Sequence, residues 1–149
     1  MIKSLLSNAV VDRIKVSQAA GTGAVTSDPV DMAGYEGALF LVELGAIVSG
    51  GTNTCKVQQS SDDGSADAYG DLEGTSLVNS GDEAAEKVQA IEVINPGKRY
   101  LKLIATRAAQ NVEIDSILVI KFGSRKLPVT QPANVDGSEQ HVGPAEGTA

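Results

Sequence analysis

EGALFLVELGAIVSGGTNTCKVQQSS, residues 36–61, holds the longest apolar run of the chain, Ala38 to Leu44. A small-residue turn follows, Ser49-Gly50-Gly51-Thr52-Asn53, and then a second strand-like segment, Cys55-Lys56-Val57-Gln58-Gln59. An apolar run broken by Gly-Gly and resumed with alternation predicts a β-hairpin. On its first arm Phe40, Val42, Leu44 and Ala46 fall on one face, with Leu39, Leu41 and Glu43 on the other. Apolar residues on both faces predict a central strand, or one whose outer face meets another chain.

The flanking sequence has the same texture. Residues 10–16 predict a strand with Val10, Asp12, Ile14 and Val16 on one side and Val11, Arg13 and Lys15 on the other. Residues 19–31 turn to Gly, Thr, Ala, Ser, Asp and Pro, which is loop composition. Downstream, residues 60–74 are polar and acidic, and a short strand is expected over 75–79 and a turn over 80–83. Residues 86–95 read as a strand closed by Pro96-Gly97, with a short helix opening at 84–89 as the alternative.

Residues 98–107 predict a cleaner strand, with Leu101, Leu103 and Ala105 facing one way. Residues 108–111 then predict a turn into a last strand, 112–122. There Val112, Ile114, Leu118, Ile120 and Phe122 share one face and Ile117 and Val119 load the other. Short strands at close spacing, with no long helical pattern, predict an all-β, jelly-roll-like antiparallel β-sandwich with extended terminal arms. The expected organisation is an N-terminal strand and arm over 1–33, a sandwich core over 34–123 and a C-terminal arm over 124–149. That last stretch holds three of the five prolines and no periodicity. On composition it is a disordered tail, and as an arm it is expected to be held by a neighbouring chain.

At 149 residues the chain suits one domain with a real core, and with aromatics at 3% and no Trp that core must be aliphatic. The net charge of −7 disfavours nucleic acid as a partner. No apolar run approaches the roughly 18 residues of a membrane span. The N-terminus is interrupted by Ser7, Asn8 and Asp12-Arg13 before any signal core forms, so synthesis in the cytoplasm is expected. Charge is arranged by segment. Residues 62–92 carry nine acids against one base, net −8, and residues 98–126 carry seven bases against two acids, net +5. Either two solvated faces happen to differ in sign, or the two surfaces meet across a subunit contact or an acidic partner.

The residue types that carry chemistry are sparse. His141, the only histidine, lies in the Pro/Gly tail, far in sequence from Cys55, the only cysteine. Cys55 alternates with Val57 on the inward side and reads as a buried structural thiol, so neither a Cys-His pair nor a Ser/His/Asp triad can be assembled. In the acidic loop 62–71, oxygens fall at spacings of two. The sharp-turn position of a calcium loop is Ala68, however, and the closing glutamate position is Gly74, so a polar loop is the better reading. No phosphate-binding or dinucleotide fingerprint follows any strand. No catalytic, metal or cofactor site is expected, and the chain reads as non-enzymatic.

Three stretches carry a family resemblance: KVQQSSDDG at 56–64, PGKRYLKL at 96–103 and RKLPV at 125–129. With the ALFLVELGAI run and the ILVIKFG strand, the chain resembles small structural proteins of tailed bacteriophages, most closely the jelly-roll head decoration (cement) proteins. The resemblance spans residues 34–129. It implies a homotrimer on the outer surface of the capsid, gripping the major capsid protein through terminal arms. Leu39, Leu41, Ile117 and Val119 are then the expected subunit contacts. Arg125, Lys126, Leu127, Pro128 and Val129 open the expected capsid arm, 125–135. The alternative is a tail, baseplate or fibre-associated sandwich that binds a receptor or carbohydrate, against which the scarcity of stacking aromatics counts.

Overall fold

A computed structural model describes residues 4–79 and 81–148, so Met1–Lys3, Ser80 of the expected turn and Ala149 lie outside the described residues. After a single helical turn α1 (Leu5–Asn8), the chain forms β1 (Val10–Lys15), β2 (Gln18–Thr26), β3 (Val30–Asp31), β4 (Gly37–Ile47) and β5 (Thr52–Ser60). It continues through β6 (Gly70–Asp71), β7 (Leu77–Val78), a 3-10 turn (Gly81–Ala84), β8 (Val88–Ile94) and β9 (Tyr100–Phe122). All pairings are antiparallel. The fold is the all-β, sandwich-like one expected.

Its organising element is not the expected hairpin. β4 and β5 both pair with β9, not with each other: Gly37 sits opposite Phe122 and Ile47 opposite Val112, then Thr52 opposite Ala108 and Ser60 opposite Tyr100. Together they form one long bent strand beside β9. On the other edge of β9, β1, β2 and β3 trace the same path, from Val10 opposite Lys121 to Asp31 opposite Tyr100. Three long strands therefore run in register and bend together. The bend divides the sheet into two layers, β8-β4-β9-β1 and a second built from β6 and β7, β5, the first half of β9, and β2 with β3. Sheets that turn a corner this way need bulges to do it.

Irregularities cluster at that corner. Register shifts between Glu43 and Ile47 in β4 and between Gln18 and Gly23 in β2. Gly50 at φ +85° turns the link from β4 to β5. Residues 108–111, expected to reverse the chain, instead form the bend inside one 23-residue strand, with Ala109 at φ +64°. Arg107 braces it, its Nη1 donating to Ala19 O at 2.8 Å and Val112 O at 3.0 Å. β2 also departs from the loop expected over 19–31. Only Val25 is buried in it, so no periodicity marks it. It becomes a strand because the backbone groups on that edge of β9 need partners.

One apolar cluster fills the space between the layers. Phe40, Val42, Ile91, Val93, Ile117 and Val119 come from one layer and Val25, Val57, Leu101, Leu103 and Ala105 from the other, with Val112 and Ile114 near the corner. Each fully buried aliphatic or aromatic side chain contributes about 1.5–3 kcal/mol. A polar crossing sits among them: Asn53 Nδ2 in β5 donates to Gln89 Oε1 in β8 at 2.6 Å.

Candidate interaction face

Strand parity decides which side chains leave the core. In β4, Ala38, Phe40 and Val42 point inward and are sealed, so Leu39 and Leu41 point outward, each half-buried. Across the ladders Leu39 faces Ile120 on β9, and Ile120 faces Val11 on β1; Leu41 faces Leu118. On the far side β8 presents Val88 and Ile94, exposed at 55% and 59%. The aromatic ring of Phe122 lies across Gly37, where a Cβ would come within 2.3 Å of it. The outer face of this layer is thus an apolar stripe across β4, β9 and β1, which β8 borders with Glu92 beside Leu39 and Ala90 beside Leu41. Charge is confined to its flanks, with Arg13 exposed on β1 and Glu92 exposed on β8, and the Glu43 carboxylate accepts from the Ser116 hydroxyl. None of the described strands or helices forms a further layer over it. Unpaired apolar stripes of this kind mark contact surfaces.

The sequence-derived contact residues divide. Leu39 and Leu41 lie on this face, but Ile117 and Val119 do not: both are 0% exposed in the core, a correction of their expected role. The cause is the bulge in which Glu43 pairs with Ser116 and the next residue, Leu44, pairs with Ile114, leaving Asp115 unmatched. One extra residue inverts the alternation. Val112 and Ile114 therefore share the core with Ile117 and Val119, while Leu118, Ile120 and Phe122 turn outward. The signal was the adjacent polar pair Asp115-Ser116, which breaks the alternation of Val112-Glu113-Ile114. Val11, Leu118 and Ile120 are the contact candidates that alternation alone missed.

The same strands carry a different outer face in the other layer. There Thr54, Lys56 and Gln58 of β5 lie beside Thr106, Ile104 and Lys102 of β9. The opposite charges of the two segments meet here within one chain. Lys98 bonds Asp67 at 2.7 Å, Lys56 bonds Asp71 at 2.8 Å, and Lys102 lies 3.8 Å from Asp63. Lys102 also sits 4.2 Å over the Tyr69 ring, whose hydroxyl donates to Asp63 at 2.6 Å. For these residues the expected subunit contact is replaced by an intrachain one.

The acidic loop is built by its own carboxylates. Asp62 accepts from the backbone N–H of Ser65, Ala66 and Asp67 at 3.1, 2.7 and 3.1 Å, and those bonds hold its carboxyl below the usual range. Lys98, then Ser61, pull Asp67 down to about 2. Among the described residues no group of three or more His, Cys, Asp or Glu is placed to hold a metal. Cys55 is sealed, and burial pushes its thiol up to about 11; its Sγ accepts from Asn53 at 3.2 Å and donates to Gln89 at 3.3 Å. His141 is exposed on the tail beside Glu139, so the two nucleophile-type groups do not meet.

The segment 125–129 leaves β9 with Arg125, Lys126, Leu127 and Pro128 exposed and Val129 half-buried. It does not project. Arg125 N donates to Gly34 O at 2.9 Å and Val129 N to Ser7 O at 3.0 Å. The tail was expected to be held by a neighbour; its holder here is the chain's own N-terminal segment.

No family model matches the chain, and no curated protein does. Among solved structures it is similar to dimeric latent PorU from Porphyromonas gingivalis, at TM-score 0.38 and 10% identity, over 78% of this chain and 13% of that one. So distant a likeness carries no argument about fold or function.

Proposed function

We propose that this chain is a non-enzymatic structural protein of a tailed-phage virion. It binds the outside of the assembled capsid as a homotrimer and stabilises the coat lattice. The observation that supports this most directly is the half-buried apolar stripe of Val11, Leu39, Leu41, Leu118 and Ile120, a surface of the character that a packing partner covers. The sealing of Cys55 and the isolation of His141 support the non-enzymatic part. The motifs at 56–64, 96–103 and 125–129 support the virion part by resemblance. A protein that binds only the assembled lattice stabilises it by mass action, and several weak contacts per trimer add through avidity.

The test is co-sedimentation. Purified protein is mixed with undecorated heads and pelleted, with its free oligomeric state measured by sedimentation velocity. Co-pelleting and a trimer are expected. Protein left in the supernatant above intact heads would remove the capsid reading.

A further inference from the structure

The free edge of β1 is closed by the C-terminal strap, and the manner of its closure points to a second use. β1 pairs with β9 along one edge only. Its other edge presents backbone groups at alternate residues, and these are met one after another by the strap. The Gln131 side chain accepts from Val11 N at 3.0 Å and donates to Leu6 O at 3.0 Å and Ala9 O at 2.8 Å. Asn134 Nδ2 donates to Arg13 O at 3.1 Å and also reaches the Asp12 carboxylate. With Val129 N on Ser7 O, contacts advance along both segments in the same direction. The strap is thus a surrogate edge strand in which two carboxamides stand in for backbone.

Its attachment has no fully buried anchor. Not one residue of 125–135 is buried, Leu127 is 56% exposed, and only Val129, Gln131, Pro132 and Val135 are half-buried. A segment held by hydrogen bonds near water opens before the core does. Gly123, at φ +67°, begins the joint to β9, and the joint continues through the half-buried Ser124. When the strap lifts, residues 9, 11 and 13 are left as an open sheet edge, which binds any extended segment that can satisfy it.

We propose that this edge is an acceptor site whose occupant in the assembled state is the strap of a second copy, exchanged onto β1 across a subunit contact. The same strap residues meet the same acceptor groups in either chain, so exchange costs no hydrogen bond and links copies that the apolar stripe brings together. Exchange needs only two copies and no coat lattice. Its failure would leave the capsid reading standing, and the reverse also holds.

The experiment uses the Asp12–Asn134 contact and the inertness of sealed Cys55. Full-length Asp12→Cys and Asn134→Cys variants are prepared separately, mixed, concentrated and oxidised. A covalent heterodimer carrying the 12–134 link, absent from either variant oxidised alone, is expected. The chain carrying both substitutions is the control, because it can close within itself. A mixture that stays unlinked while the double variant closes as a monomer would overturn exchange and make the strap a fixed part of its own fold. A second measurement does not depend on disulfide geometry: Gln131→Ala/Asn134→Ala should lower the self-association constant by at least tenfold. An unchanged constant would also overturn it.

Discussion

The two halves of β9 run through the same sheet, yet their outer faces differ in kind. Residues 100–107 send Lys102, Ile104 and Thr106 outward beside Thr54, Lys56 and Gln58, and their charges are neutralised within the chain by the acidic loop. Residues 116–122 send Leu118, Ile120 and Phe122 outward beside Leu39, Leu41 and Val11, and no described strand or helix covers them. The inner faces of the two halves are equally apolar and share one core. Fold alone requires only the inner faces. The difference outside therefore separates the faces that hold the monomer together from an apolar face that the fold does not use.

The comparison breaks first at strand parity. Ile117→Ala should cost about 2–5 kcal/mol in urea unfolding, as loss of a fully buried side chain does, whereas Leu118→Ala should cost the monomer less than about 1.5 kcal/mol. Equal costs would mean that the bulge at Asp115 is misplaced. Next comes the stripe itself: Leu41→Glu with Ile120→Glu should weaken self-association by about 100-fold or more, which is about 2.7 kcal/mol. Ile104→Glu on the polar layer should leave association unchanged in the same sedimentation runs.

The corner is the third point. Arg107→Ala removes the guanidinium bonds to Ala19 O and Val112 O and should lower stability by about 1–2 kcal/mol, with hydrogen exchange rising at 18–23 and 108–112.

The smallest effect concerns the polar layer. Asp67 is held at about 2, below its ordinary 3.8, chiefly by the Lys98 bond and then by Ser61. A carboxylate depressed in the folded state contributes stability above its unfolded pKa and loses it as pH falls through the folded one. Thermal melts of wild type should therefore shift slightly downward, relative to Asp67→Asn, between about pH 4 and pH 2. Parallel curves would show that the Lys98 bond contributes nothing.

Much of the strand content was legible because side chains alternate wherever one face is sealed. Residues 38–44, 88–94 and 101–105 declare themselves in this way. β2 did not, since its Gly, Ala and Thr side chains bury almost nothing and its strand form comes from pairing with β9. The stripe was half legible. Leu39 and Leu41 follow from the doubly apolar run, but Leu118 and Ile120 were hidden by a one-residue bulge that no period of two can register. The strap at 125–135 was legible as a segment and not as a contact, because Gln131 and Asn134 act on backbone groups more than a hundred residues away.

By itself, then, the sequence of residues 36–61 determined two strands sealed on one side, the first of them apolar on both, because alternation and composition are local properties of the chain. It did not determine what those strands pair with. The Gly50-Gly51 break reads locally as a reversal, and only the tertiary structure made it a corner, with β4 and β5 laid end to end along β9. That choice belongs to the ladder: hydrogen bonds to a strand 40 to 85 residues away decide whether a flexible joint folds back or bends through.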